Sequence, residues 1–440
     1  MATINKDFFR EAQPSQLEVF ELPPTQTAVE NVYYQDVLPI SQMTGDSPVE
    51  FIVSGQNGME YIDMKNSLVY AKIKIKKADG SNISSTEDIG PVNFLLPALF
   101  SQVDVTLQGR TVISTTANYA YKAYIQTLLK DGNGAKTSQL TTQLWHKDTD
   151  GEMDDTDVRT GNNLALLERA ELFEGGKVVD LEGPIFHDLF RMDRYLLNQV
   201  NVNVKMYRSK PEFCLLSGEQ TPNYKIEFED VRLRIAKVKV NPAVIYAQSQ
   251  TLTTTTAKYP FTESILKHVT LAAGGTSFTY DNIFQGMRPN FITVGFVNAT
   301  AITGAYNQNP WFFQPFNVTS IGLYVDGIPV GGSTIKLDYD TSSGQTTIPF
   351  LRNMFKTTGR WLSDCGLDID RENISSGYSL CTFNLEPIFQ GNQYLTLLKQ
   401  GNVRLEVTFG STLSKAISCI VYAEYPGHFE INAARDILKP

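Results

Sequence analysis

Two stretches far apart in this chain carry the same alternation, position for position. Val103, Val105 and Leu107 alternate with Asp104 and Thr106, the period-two pattern of a half-buried strand. Gln108-Gly109 follows as a tight turn, because glycine takes the positive φ that a two-residue hairpin needs, and Val112 begins the return strand. Ile321, Leu323, Val325, Gly327 and Val330 fall on Val103, Val105, Leu107, Gly109 and Val112 without a gap. After the first hairpin, Tyr121, Tyr124, Ile125, Leu128 and Leu129 share one face of a helix, with Gly132 placed as its C-terminal glycine. After the second, Thr347 and Pro349 open another helical pattern carrying Phe350, Leu351, Met354 and Phe355. A second pair of blocks matches downstream. Pro184-Ile185-Phe186 recurs as Pro387-Ile388-Phe389, Tyr195-Leu196 as Tyr394-Leu395, and Asn201-Val202-Asn203-Val204 as Asn402-Val403-Arg404-Leu405. The blocks keep their order in both halves, which is the mark of a tandem duplication.

The intervening chain fits short strands. Val49, Phe51 and Val53 alternate, Tyr61 to Ile75 supplies further apolar positions, and Ile226 to Val240 alternates until Asn241-Pro242. Lys72, Lys74, Lys76 and Lys77 lie opposite an apolar face and read as a solvated strand surface rather than a nucleic-acid patch. Many short strands, glycine and asparagine turns and few helices predict an all-β chain of two antiparallel sandwiches. The Thr-rich stretch Gln248–Ala257 reads as the linker, and the second half resumes at His268 to Phe278. The expected division is an arm over 1–30, a first sandwich over 31–247 and a second over 248–440. In the arm, Leu17, Val19, Phe20 and Leu22 precede Pro23-Pro24, which imposes an extended path.

The formal net charge of −9 argues against a chain whose main task is to neutralise phosphates. No run of 18 apolar residues predicts a membrane span, and the first residues show no signal-peptide core. Cys214, Cys365, Cys381 and Cys419 lack metal spacing and read as reduced thiols of a protein folded inside the cell. The four histidines, His146, His187, His268 and His428, never share a strand, so the clustered ligands of a metal-dependent β-sandwich enzyme are not expected. His187-Asp188 is the one tempting pair, and a structural role is expected for it. Asp148, Asp150, Glu152, Asp154, Asp155 and Asp157 suggest a calcium loop, but Gly151 and Arg159 stand at the wrong places for an EF-hand. An exposed acidic tip is the expectation for 148–157. No catalytic, cofactor-binding or metal residues are expected, and the chain is not expected to be an enzyme.

The run Asn93-Phe94-Leu95, Leu99 to Val105, Asn118-Tyr119-Ala120-Tyr121 and Leu128-Leu129 resembles the first jelly roll of double jelly-roll major capsid proteins, those of Polinton (Maverick) elements and adintoviruses in particular. Leu17 to Thr27, Glu60-Tyr61-Ile62-Asp63, Ala257-Lys258-Tyr259-Pro260 and Asn309-Pro310-Trp311-Phe312-Phe313 fit the same pattern, while the acidic insertion has no counterpart in it. The resemblance implies two tandem eight-stranded jelly rolls with short helices in the loops. It also implies homotrimers of pseudo-hexagonal outline that tile an icosahedral shell around double-stranded DNA. Its implied partners are further copies of the chain, penton and other minor capsid proteins, and an inner membrane or packaged DNA indirectly, with no small-molecule substrate and no cofactor. Its implied place is the virion. A carbohydrate-binding or adhesin protein built from two sandwiches would share composition and fold, and is the alternative.

Overall fold

The computed structural model describes residues 13–439 apart from 21, 42–44, 46, 56–57, 114–116, 341, 365 and 387–396. The first half contributes β1 (Val29–Val37), β2 (Val49–Val53), β3 (Glu60–Lys77), β4 (Phe100–Leu107), β5 (Arg110–Thr111), helix α1 (Tyr119–Lys130), helix α2 (Leu164–Glu171), β6 (Val179–Pro184), β7 (Val202–Arg208) and β8 (Tyr224–Val240). Helix α3 (Pro242–Leu252) leads into β9 (Ala257–Leu271), β10 (Ser277–Tyr280), β11 (Phe291–Asn298), β12 (Val318–Val325) and β13 (Ile328–Pro329). Helix α4 (Ile348–Thr357), β14 (Leu380–Asn384), β15 (Val403–Phe409) and β16 (Ile417–Ile431) complete the principal elements.

In the first half the sheets run β1-β8-β3-β6 and β2-β7-β4-β5. In the second they run β9-β16-β11-β14 and β10-β15-β12-β13, the same order with eight added to each strand. All these pairings are antiparallel, and the order is that of an eight-stranded jelly roll made twice. Buried apolar residues from both sheets make the cores: Phe51, Val105 and Val231 in the first half, Leu323, Leu405 and Val421 in the second.

The duplication extends to individual hydrogen bonds. Leu107 pairs with Val202 and Val103 with Met206; Val325 pairs with Val403 and Ile321 with Val407. A bulge interrupts both ladders at the same rung, between Phe100 and Gln102 and between Val318 and Ser320. At the turns the Gln108 amide donates to the Asn201 carbonyl at 2.9 Å, and the Asp326 amide to the Asn402 carbonyl at 3.0 Å. Such matched irregularities distinguish a shared ancestor structure from two strands that merely alternate alike.

Both hairpins close with two residues at positive φ, Gln108 (50°) and Gly109 (73°), then Asp326 (51°) and Gly327 (81°). This is the type I′ turn, whose twist matches that of the strands. A Cβ at Gly109 or Gly327 would meet nothing within 4 Å, so only backbone strain opposes a side chain there. Gly109→Val and Gly327→Val are each expected to cost about 1–3 kcal/mol, read as a lower denaturation midpoint. An unmoved midpoint in both would contradict the turn geometry.

Several local expectations change. The return strand is Arg110–Thr111, and Val112 lies just past it. Gly132 is extended (φ −90°) and does not cap α1; a Cβ on it would come 2.5 Å from the Gly366 carbonyl oxygen, so it permits a close approach to the second half. Asn241-Pro242 does not simply end β8 but starts α3: the Asn241 side chain accepts from the Ala243 amide at 2.9 Å and Pro242 occupies the first turn. Half of the expected linker is therefore helical, and the first strand of the second half starts at Ala257, ahead of His268. The matched residues Pro387-Ile388-Phe389 and Tyr394-Leu395 lie outside the described residues.

Candidate functional site: a buried seam and an exposed arm

The two sandwiches meet along a seam built from the motifs that the resemblance picks out. Helix α1 is buried on nearly every side, which an amphipathic pattern does not anticipate. Its Tyr124 ring stacks on Trp311 of the second half at 4.5 Å, with the planes 7° apart, and on Trp145 at 5.4 Å. Tyr121 meets the edge of Trp311 at 5.2 Å. The Trp311 indole N–H donates to the Asn93 carbonyl at 2.7 Å. Asn93-Phe94, Asn118 to Tyr121 and Asn309 to Phe313 thus converge on one aromatic stack. Lys136 closes one side of it: its ammonium lies 5.4 Å from the Trp145 ring centre and donates to the Leu367 carbonyl. Burial pulls that ammonium down to about 8.

The stretch 148–157 is not an exposed tip. Asp148 is fully buried, paired with Arg169 of α2 at 2.6 Å, and accepts from the side-chain amides of Asn163 and Asn309 at 3.0 Å each. Asp154 accepts from the Asn309 amide at 2.7 Å, and Asp150 from the Asn373 side chain at 2.6 Å. The Gly151 amide donates to the Ser376 carbonyl at 2.7 Å. Asn309, Asn373 and Ser376 belong to the second half, so the insertion is a polar staple across the seam. Its five aspartates, Asp148, Asp150, Asp154, Asp155 and Asp157, all accept from protein donors. Sequence spacing could not show the staple, because Asn309, Asn373 and Ser376 all lie in the other half.

A third set of contacts involves His187-Asp188. Asp188 is completely buried, 2.8 Å from Lys122 of α1, and accepts from the amide and hydroxyl of Ser264 on β9. Gln126 donates to Ser264 at 3.1 Å and to the Tyr422 hydroxyl at 3.0 Å, and Tyr422 donates to Glu424, which pairs with Arg191 at 3.2 Å. Burial alone would raise the Asp188 carboxyl, but Lys122, His187 and the hydrogen bonds outweigh it and hold it below the usual carboxylate range. His187 accepts from the Leu189 amide at 3.3 Å, and burial, reinforced by Lys122, lowers its imidazole to about 3. A ring that stays neutral and enclosed fits the structural role expected of it.

The pH dependence follows in sign. An unfolded His takes its proton near 6.5, whereas folded His187 does not until about 3. In that window the unfolded chain binds more protons, so stability falls as pH falls, by up to about 1.4 kcal/mol per unit from this residue. Asp188, depressed in the fold, adds the same sign once pH drops below the ordinary carboxylate value. Urea unfolding between pH 4.5 and 7 should show this slope, and His187→Asn should flatten it; a wild-type curve level over that range would refute it.

The strand lysines Lys74 and Lys76 on β3 are paired across the sheet with Glu229 and Glu227 on β8, the latter at 2.8 Å, as a solvated strand surface would be. Cys214, Cys381 and Cys419 are buried free thiols, and Cys365 lies outside the described residues.

Outside the seam, two exposed features lie next to one another in the chain, the edge strand β1 and the arm before it. β1 is an edge strand, laddered among the described residues to β8 alone, and exposes Val32, Tyr33 and Tyr34 on both of its faces. Such an edge is open to another chain. Before it, Leu17, Val19, Phe20 and Leu22 are all exposed, Phe20 at 97%. The arm rejoins the fold where the Asn241 amide donates to the Ala28 carbonyl at 2.9 Å, beside the start of α3.

No family model matches the chain. An uncharacterized protein of Caenorhabditis elegans is 23% identical over 428 residues, covering 94% of this chain and 98% of that protein. Among solved structures, a chain of the Sputnik virophage superimposes with a TM-score of 0.62 at 10% identity, covering 98% of this chain and 93% of that one. The Faustovirus major capsid protein gives 0.55 at 11% identity over 93% and 92% of the two chains. The mavirus major capsid protein gives 0.51 at 10% identity over 100% and 96%. The fold is the double jelly roll of these viral proteins.

Proposed function

We propose that this chain is a major capsid protein, the structural subunit of an icosahedral shell around a double-stranded DNA genome, of the Polinton (Maverick) or adintovirus type. The observation that carries the reading is the register-matched duplication locked by a buried seam. Two like sandwiches joined side by side give one chain two nearly equivalent outer walls. Three such chains then present six walls, a pseudo-hexagonal tile whose neighbours meet alike in all directions. The likeness in fold to the Sputnik, Faustovirus and mavirus chains supports it. The bare edge of β1 and the arm supply surfaces for association, and the carboxylates Asp148, Asp150, Asp154 and Asp188 are committed to holding the halves together. In this reading the arm is 1–30, the first jelly roll 31–247 and the second 248–440. Further copies, pentons and minor capsid proteins are the partners, the virion is the location, and no catalysis is involved.

Light scattering on the purified protein is expected to give a mass about three times 49.1 kDa. Obligate interfaces commonly bury about 2,000 Å² or more, so the trimer should persist on dilution. Negative-stain images should show pseudo-hexagonal particles. A stable monomer at micromolar concentration would overturn the proposal.

A further inference from the structure

A cavity of about 490 Å³ opens at the far end of α3, between the two halves. Tyr61, Tyr195, Tyr259 and Leu252 give it apolar walls, and Arg194 and Lys258 stand on its lining. Its size lies in the range of ordinary binding pockets and has room for an aromatic side chain with an aliphatic one beside it. The arm emerges at the other end of the same helix, and its four apolar residues are exposed, Phe20 and Leu22 almost fully. Pro23-Pro24 holds the path extended, and the seven residues back from Thr27 to Phe20 reach at most about 25 Å. Glu18, within the apolar run, is of opposite charge to Arg194 and Lys258; Asp193 on the same lining is paired with Lys65 at 2.6 Å, and Lys258 lies 3.6 Å from Glu430, so Arg194 is the cation of the lining without a carboxylate partner among the described residues.

We infer that the cavity is the docking site for the N-terminal arm of a second copy of this chain, with Phe20 and Leu22 seated among the tyrosines and Glu18 facing Arg194 and Lys258. The inference rests on the capsid reading and names a contact by which its copies hold one another. A tyrosine-walled site suits this occupant, since the Tyr61 and Tyr259 hydroxyls are already bonded to Gln248 and to the Tyr195 carbonyl, which fixes the rings and leaves their apolar area for the arm. In the isolated chain the arm leaves its own cavity open, which points to a neighbour's arm as the occupant. The exchange is reciprocal, each copy giving an arm and receiving one.

The test uses the full chain carrying Phe20→benzoylphenylalanine, co-expressed with a tagged wild-type copy and irradiated after purification. The expected result is a crosslinked species that contains the tag, with adducts mapping to peptides 193–197 and 248–259. Adducts confined to the untagged chain, adducts elsewhere, or no adduct would overturn the inference. As a second measurement, Phe20→Ser with Leu22→Ser should raise the concentration for half-assembly at least tenfold while leaving the subunit's melting temperature unmoved. An unchanged assembly concentration would also overturn it. The two readings fail separately: a wild-type monomer at micromolar concentration removes the capsid proposal, whereas wild-type trimers without the crosslink remove only the arm exchange.

Discussion

Trp311→Ala is expected to destabilise the protein by about 3–5 kcal/mol, the range for emptying a large aromatic site in a core. Trp311 has no exposed surface, stacks on Tyr124 and satisfies the Asn93 carbonyl, so three losses coincide. The cavity would fall on the seam and not inside either sandwich. Its effect should therefore include uncoupling, with one denaturation transition splitting into two as each sandwich unfolds on its own. Trp361→Ala is the control: that side chain is 42% exposed and its removal should stay within about 0.5 kcal/mol. Equal effects from the two tryptophans, as midpoints in urea, would show that the seam does not couple the halves.

Asp148→Ala is expected to cost a similar amount, about 3–5 kcal/mol, for a different reason. Arg169 is entirely buried and would keep its charge with its carboxylate partner gone. The backbone carbonyls of Pro91 and His146 would still accept from the guanidinium, but neither carries a compensating charge. The double variant Asp148→Leu with Arg169→Met removes both charges and should recover a large part of the loss, since buried pairs replaced together by apolar residues are often near neutral. Asn163 and Asn309 would still lose an acceptor, so recovery should stop short of wild type. A double variant as unstable as Asp148→Ala would assign the effect to the asparagine contacts and not to the stranded charge.

What the amino-acid sequence discloses on its own divides along a physical line. The hairpins are legible in it because a type I′ turn needs positive φ, and Gly109 and Gly327 answer that need in the same place of the same alternation. α1 and α4 are legible from helical spacing, and α4 also from Pro349 in its first turn. Helix α3 is hidden because Asn241-Pro242 can end one element and cap the next, and the capping role depends on the Asn241 side chain turning back to Ala243. The acidic insertion misleads because local composition describes solvation only when no distant partner removes the water. Asn309 and Asn373 do that, and nothing near 148–157 in the sequence announces them. The seam escapes for the same reason: its motifs can be recognised one by one, but their convergence is a property of the folded chain.

The placement of α1 also sets a timetable for synthesis. Tyr121 and Tyr124 leave the ribosome with the first sandwich, while Trp311 and Phe313 follow only after β8, α3 and most of the early second-half strands. At about 5–20 residues per second, the aromatic face of α1 waits on the order of ten seconds for its cover. During that interval the nascent chain carries a bare, tightly patterned apolar helix on a finished sandwich. Chains made close together on one messenger would each show that face to the others before their own second halves arrive. A chaperone that holds the half-made chain would cover that face until the second half arrives.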